Sequence, residues 1–285
     1  RYLRGLDCFI MYADQAINAV LPRLFSVIGL QVRDEDSEVR GAAEKCCVRL
    51  GAQANAEEIL EILLPRVAGA VAGGDTASQR ASACGVLTHV LKGLRRRCDA
   101  AHSTAEAAPN TLYLCTSIAT CLSETALYAF REASLRESVL LLVRTLAENF
   151  PQECKASAHI QQALLLTLTF LCGKCPGEDD IIPDIAHKVM HRLAVICTDG
   201  GSVGALLGVH YHFLLFHVVT FQLPASVTET VKIDAGDAKN ASKMAQFYAQ
   251  LALQWESDSA GMAAACDSRA WIDRSRSTAR ARRRA

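Results

Sequence analysis

The sequence predicts an all-α protein built from stacked antiparallel helix pairs, an α-solenoid. Ala and Leu are abundant while only 6% of residues are aromatic, a composition that favours close-packed helices over a β-sandwich. A Leu-Pro-Arg phrase also occurs twice, with Pro22 and Pro65 at the same place in each copy. Self-similarity at a period of about 40 to 50 residues is typical of helical solenoids, which usually bind other molecules. The pattern therefore favours a binding protein over an enzyme.

The chain already has helical apolar spacing near residue 3, and the first complete helix pair is predicted at 16–31 and 37–51. Pro22 falls early in the first of these helices, where the missing N–H of proline costs least. The polar turn that follows ends the apolar stripe, and Ser37 is the predicted N-cap of the second helix. Apolar residues in that helix recur at i, i+3, i+4 and i+7, so one face is expected to be buried.

The same order of features then begins again. Asn55 is the predicted N-cap of a helix that reaches Val71, the glycine turn at 73–75 follows, and residues 77–94 form the next helix. Turn and helices repeat in step, and five residues mark equivalent places in the two copies. These structural repeat positions are Pro22, Val39, Arg40, Pro65 and Arg80.

The rest of the chain shows a weaker rhythm. Residues 95–110 are polar and irregular and are predicted as an extended loop, and the prolines at 109 and 151 are also placed in loops. Later helices are predicted at 111–130, 133–149, 157–173, 183–198, 203–222 and 238–256. Residues 1–256 are thus expected to form the solenoid, as a fragment of a longer array.

Residues 257–285 are predicted to be a disordered, Arg-rich tail. From Arg269 onward the chain has seven Arg and one Asp, which leaves the remainder at about −6 since the net charge is zero. Such a tail could touch nucleic acid or an acidic partner. A solvated tail without a specific role is the favoured interpretation, so no specific nucleic-acid ligand is expected.

The twelve cysteines do not indicate a disulfide framework. They are scattered, and several lie in apolar helical runs, where free Cys acts as a small buried hydrophobe. We therefore expect reduced thiols and a cytoplasmic location. The pair Cys172 and Cys175 has the spacing of a redox or zinc half-site, but it follows a helix C-terminus, where the dipole disfavours a thiolate. No second half-site completes a zinc centre.

The histidines offer a weak alternative. His187 and His191 lie four residues apart, but the apolar stripe of their helix, which runs from Ile185 to Ile196, places both toward solvent. His210 and His212 are expected to pack or to form hydrogen bonds. Because no phosphate loop, nucleophile elbow or HExxH motif occurs, the sequence predicts no catalytic residue, no metal site and no cofactor.

Residues 203–223 contain no Asp, Glu, Lys or Arg and are long enough to cross a bilayer. Three histidines within this run would be costly in hydrocarbon, and a central solenoid helix is apolar on most sides. A buried helix is therefore favoured, and no membrane partner is expected.

Two charged clusters are the candidate partner-binding residues. Solenoids often bind through inter-helix turns and exposed helix faces. An ordinary solvated turn, and a cation cluster at a helix C-terminus that complements the dipole, are the simpler alternatives. The candidates are Asp34, Glu35 and Asp36 in the first turn, and Arg95, Arg96 and Arg97 after the fourth helix.

The acidic turn, the following Val-Arg and Ala-Ala positions and the preceding Leu-Pro helix resemble the HEAT repeat, an armadillo-type fold. Within HEAT proteins, the succession of local features is similar to the central portion of the HEAT-repeat dynein axonemal assembly factors, over roughly residues 6 to 125. The segments that carry the resemblance are VLPRLFSV at 20–27, DEDSEVRGAAEKCCVRLGAQANAEEILEILLPRVAG at 34–69, SACGVLTHVLKG at 82–93 and TLYLCTSIATC at 111–121.

The resemblance implies a cytoplasmic, non-enzymatic scaffold in cells that build motile cilia or flagella. Such a protein helps to preassemble the outer and inner dynein arms of the axoneme. Its implied partners are dynein intermediate or heavy chains and other assembly factors. A HEAT scaffold of another class, such as a transport receptor, a phosphatase scaffold or a tubulin-binding array, remains the alternative. The acidic first turn disfavours tubulin, since a tubulin-binding array is expected to have basic and aromatic turns.

Overall fold

The protein is all-α in the part of the chain that the computed structural model describes, which comprises residues 2–69, 76–104, 109–129, 133–172, 181–198 and 201–222. A 3-10 helix at Asp14–Val20 precedes the second α-helix. The α-helices, in chain order, are α1 Tyr2–Tyr12, α2 Leu21–Gln31, α3 Ser37–Gln53, α4 Ala56–Ala68, α5 Ala77–Thr104, α6 Thr111–Ala129, α7 Ala133–Asn149, α8 Pro151–Ala156, α9 Ala158–Cys172, α10 Ile181–Cys197 and α11 Val203–Gln222.

The chain divides into two compact units, residues 1–193 and 194–285. In the first unit the helices pack in two rows. Helices α1, α3, α5 and α7 lie side by side in one row, which we call the odd row. Helices α4, α6 and α9 form the second row, while α2 packs against α3 and α5. Contacts of α4 with α5, and of α6 with α7, join the two rows along a shared apolar core.

In the odd row, α3 and α5 approach each other closely at two glycines. A Cβ atom on Gly51 would overlap the backbone carbonyl of Val90, and one on Gly93 would overlap the carbonyl of Val48. Neither overlap could be relieved by a side-chain movement, since backbone atoms form the obstacle on both sides. Glycine at these two positions thus lets the helix backbones touch, and it fixes how α3 and α5 are aligned along their axes.

Local hydrogen bonds explain where the first helices begin and end. The Asp36 carboxylate accepts a bond from the N–H of Glu38 at 2.7 Å, so Asp36 is the N-cap of α3. The prediction of Ser37 as that cap was wrong by one residue. Asn55 caps α4, as predicted, because its side-chain oxygen accepts from the N–H of Glu57 at 2.9 Å. Gly69 ends α4 at a φ of 71°, a conformation that glycine adopts at little cost.

The predicted loop at 95–110 is wrong for residues 95–104, because α5 continues through them to Thr104. Leu94, Cys98 and Ala101 are buried and extend the apolar stripe of the helix into the polar-looking segment. The apolar residues of this charged helical segment are small or widely spaced. For this reason the sequence of residues 95–104 resembled a loop.

The prolines differ in their local roles. Pro22 lies in the first turn of α2, directly after the 3-10 helix, so the helix predicted at 16–31 begins later than expected. Pro65 lies inside α4 near its end. Pro151 begins the short helix α8 and is not in a loop, which corrects the prediction for that residue. The first N–H groups of a helix have no acceptor within the helix, so Pro151 can begin α8 without the loss of a hydrogen bond.

Several sequence predictions lie outside the described residues. They are the glycine turn at 73–75, the helix at 238–256 and the Arg-rich tail at 257–285. Helix α11 matches the predicted helix at 203–222, with Leu206, Leu207 and Leu214 buried. Among the helices described, none is both long and apolar enough to cross a bilayer.

Candidate protein-binding surface

The acidic turn between α2 and α3 is held together by its own side chains. The Asp34 carboxylate accepts from the N–H of Asp36 at 2.9 Å, and the Arg40 guanidinium donates to the Asp34 carbonyl at 2.7 Å. Asp36 caps α3, as described above. Asp34 and Asp36 therefore have local structural roles, whereas Glu35 is exposed at the tip of the turn. Of the three predicted acidic residues, Glu35 is the one whose side chain is best placed for a partner.

The three consecutive arginines of α5 point in different directions. Arg97 donates to the carbonyl of Ala54 at 3.1 Å and so caps the C-terminus of α3. Arg95 forms an ion pair with Asp99, one turn further along the helix, at 3.0 Å. Arg96 is exposed. Because α5 continues to Thr104, the cluster lies inside the helix, and the interpretation as a cation cluster at a helix C-terminus is wrong.

Two of the repeat positions have related roles. Arg40 donates to a carbonyl of the turn before α3, and Arg80 donates through Nε to the carbonyl of Val67 in the last turn of α4, at 3.0 Å. Each arginine ties the start of one helix to the backbone that precedes it. Val39, which precedes Arg40 in the sequence, is half-buried. Arg40 and Arg80 thus have local structural roles.

Most of the cysteines in the described residues are buried. Burial raises the pKa of Cys46 to about 11 and the pKa of Cys84 and Cys172 to about 12. Burial also raises the pKa of Cys47 and Cys115. A thiol with a raised pKa is protonated at neutral pH and is a poor nucleophile. Cys172 therefore lacks the property that a redox pair needs, while its sequence partner Cys175 lies outside the described residues.

The histidines occupy three different environments. His187 is half-buried in α10, so the prediction that it faces solvent was wrong, whereas His191 is exposed. The predicted apolar stripe of α10 is confirmed at Val189 and Leu193, which are buried, whereas Ile185 and Ile196 at its ends are half-buried. The buried face also includes Ala186 and Met190. Burial lowers the pKa of His187, as it does that of His210. No three His, Cys, Asp or Glu side chains cluster as metal ligands within the residues that the structure describes.

A surface groove between α1 and α3 was not predicted from the sequence. It has a volume of about 390 Å³ and is lined by Leu3, Arg4, Asp7, Ser37, Glu38, Gly41, Ala42 and Lys45. Asp7 at its edge forms an ion pair with Arg49 at 2.5 Å. A Cβ atom on Gly41 would meet nothing within 4 Å, so the groove is open above this residue. The small residues at 41 and 42 could be recognised in the sequence as part of an Ala-rich helix face. They line a groove because α1 packs beside α3, a contact that the sequence did not predict.

Comparison with known proteins adds no assignment. No protein family, curated protein or solved structure matches this chain.

Proposed function

We propose that the chain is a HEAT-type α-solenoid that acts as a non-enzymatic scaffold in the cytoplasmic preassembly of axonemal dynein arms. It binds dynein intermediate or heavy chains, or other assembly factors, while outer and inner arms are put together for motile cilia or flagella. The sequence resemblance over roughly residues 6 to 125 supplies the dynein part of this proposal. The helix packing supports the scaffold part.

The observation that carries the scaffold proposal is the similar sequence spacing of contacts at two junctions of the odd row, α1 with α3 and α3 with α5. Cys46 of α3 contacts the carbonyl of Leu3 in α1, and Arg97 of α5 contacts the carbonyl of Ala54, each across 43 residues of sequence. The ion pair of Asp7 with Arg49 joins α1 and α3 at nearly the same separation. At these two junctions neighbouring helices thus lie about one sequence repeat apart, a spacing that is typical of a solenoid of helix pairs.

The spacing has a physical consequence for function. A single helix pair is too small to bury both of its apolar faces, so each pair is stabilised by the next one and the array presents extended side faces to solvent. Exposed charges on those faces, including Glu35 and Arg96, are available to a large protein client. An extended surface of this type suits a client with many subunits better than it suits a small substrate.

Affinity purification from ciliated cells tests the proposal. The tagged full-length chain is expected to recover axonemal dynein intermediate or heavy chains, or dynein assembly factors, well above the level of an untagged control extract. Tubulin, nuclear transport cargo and phosphatase subunits serve as markers for the other classes of HEAT scaffold. Recovery of one of these classes without dynein chains or assembly factors would contradict the dynein proposal, although a solenoid scaffold would still be supported.

The tubulin alternative has its own test, because the Arg-rich segment from 269 onward could bind the acidic microtubule surface. Co-sedimentation with microtubules is expected to be weak and to disappear as salt is raised, since unspecific ionic contacts are screened. Tight, salt-resistant co-sedimentation would favour a tubulin-binding array instead.

A further inference from the structure

The outer face of the odd row has an excess of cations. Four of them lie on α1, α3 and α5 and are wholly or partly exposed. None of the four forms an ion pair with another residue of the described segments. We call this set the basic face; it comprises Arg4, Lys45, Lys92 and Arg96.

Neighbouring carboxylates cancel only part of this charge. Asp7 pairs with Arg49 across the groove between α1 and α3. Glu44 lies 3.7 Å from the His89 ring between α3 and α5, but burial lowers the pKa of that histidine, so Glu44 keeps its negative charge. Glu38 is an exposed carboxylate at the groove. The four cations outnumber Glu38 and Glu44, so the basic face keeps a net positive charge.

Packing places these cations on one side of the row. Arg4 and Lys45 line the same groove. Lys92 lies one helical turn after His89 on α5, and Arg96 lies one turn further, so these side chains follow a stripe at i, i+3 and i+7. Burial lowers the pKa of His89, and the charge of the nearby Lys92 lowers it further. His89, which also contacts Glu44 of α3, is therefore a neutral imidazole within this stripe.

We propose that the basic face binds an acidic segment of a partner protein, with a Glu or Asp side chain of that segment in the groove between Arg4 and Lys45. The inference rests on the proposed scaffold function and names the chemistry of its client. Gly41 leaves room above α3 for a backbone or side chain to enter the groove. The two cations at the groove then hold the carboxylate, while Lys92 and Arg96 contact acidic residues further along the segment.

A protein segment fits this face better than a nucleic acid does. Glu38 lies in the groove beside the cations and would repel a phosphate backbone, which has a charge at every step. A protein segment can place an uncharged or basic residue at that point. Aromatic side chains that stack on bases accompany the cations in single-strand binders, whereas none of the residues that line the groove is aromatic.

Fluorescence anisotropy with a labelled peptide of alternating glutamate and serine, the Glu-Ser peptide, tests the proposal on the full chain, since an uncharged serine can lie opposite Glu38. We expect the double variant Arg4→Glu and Lys45→Glu to bind the peptide about tenfold more weakly than the wild type. Gly41→Leu fills the groove without a change of charge and is also expected to weaken binding. The matched control is Arg23→Glu with Arg66→Glu, which makes the same change of charge on α2 and α4 and leaves the basic face intact.

Both double variants retain the seven arginines of the 269–285 segment, so binding by that segment contributes equally to each. Equal loss of affinity in the groove variant and in the control would overturn the proposal, because it would show unspecific attraction. A labelled single-stranded oligothymidylate is the second probe. Tighter binding of this probe than of the Glu-Ser peptide, lost in the groove variant, would also overturn the proposal in favour of a nucleic acid.

A second readout separates this inference from the proposed function. The groove variant is expected to recover several-fold less dynein or assembly factor than the control variant in the affinity purification. If wild type and groove variant recover these clients equally, the scaffold function stands and the basic face is not its binding site. If neither recovers them while binding of the Glu-Ser peptide still depends on the groove, the acidic-segment inference stands and the dynein proposal fails.

Discussion

The two junctions that α3 makes within the odd row have nearly the same sequence spacing but very different surfaces. Toward α5 the helices touch backbone to backbone at Gly51 and Gly93. Toward α1 they separate enough to leave the open groove, which an ion pair of Asp7 and Arg49 bridges. The comparison shows that the repeat length aligns neighbouring helices, whereas side-chain size and charge decide whether a junction is closed or open.

The largest expected effect comes from Gly93→Ala, which breaks the closed junction. The new methyl group overlaps the backbone carbonyl of Val48, so α3 and α5 must separate. We expect a loss of about 3 kcal/mol in the free energy of unfolding, measured by urea denaturation followed by circular dichroism. Gly41→Ala is the control at the open junction. It is expected to be neutral or to stabilise by up to about 1 kcal/mol, since alanine is the better helix former. Similar losses in both variants would contradict the distinction between the junctions.

A smaller loss is expected from Arg97→Met, which keeps most of the aliphatic stem but removes the hydrogen bond to the carbonyl of Ala54. The unfolding free energy should fall by about 1 to 2 kcal/mol because a partly buried carbonyl loses its charged donor. Arg96→Met, one residue away and exposed, should change it by less than about 0.5 kcal/mol. The account of the arginine cluster would be wrong if Arg96 proved to be the more important residue for stability.

Asp36→Ala is expected to cost about 1 kcal/mol, the typical contribution of an N-cap. The substitution leaves the N–H of Glu38 without its side-chain acceptor at the start of α3, which borders the open groove. Glu35→Ala changes the adjacent exposed residue and should have almost no effect on thermal unfolding. A stability loss confined to Glu35→Ala would mean that the cap is assigned to the wrong residue.

The smallest effect is expected at the bridge across the open groove. Asp7→Asn removes the ion pair with Arg49, whose side chains are 27% and 41% exposed. Solvent screens such a pair, so the unfolding free energy should fall by about 0.5 kcal/mol or less, and the difference should shrink in high salt. A large loss that salt does not reduce would show that the junction is less open than described.

The helical class of the fold could be predicted from the sequence because apolar periodicity is a local property. Helix α11 was placed correctly on that basis. Asn55 was identified as an N-cap from its residue type, which is also a local property. The end of α5 was not predicted, because three consecutive arginines resemble a loop in sequence. In the structure they lie inside the helix, and Arg97 caps the C-terminus of α3. A prediction that treats one helix at a time cannot include contacts between residues that lie 43 positions apart.

The candidate binding surface was less predictable than the fold. Gly51 was taken as a sign of a helix end, whereas it lies inside α3 and permits the contact with Val90. Arg4 and Lys45 are ordinary exposed residues in sequence and share a groove because α1 packs beside α3. Tertiary packing, and not residue type, decides which surface charges are neighbours.

Electron microscopy of axonemes tests the central claim most directly. Cells that lack this protein are expected to build axonemes without outer and inner dynein arms, while their cytoplasmic microtubules and nuclear import remain normal. Expression of the wild-type chain should restore the arms. Axonemes with a full set of dynein arms in cells that lack the protein would contradict the proposed role in dynein preassembly.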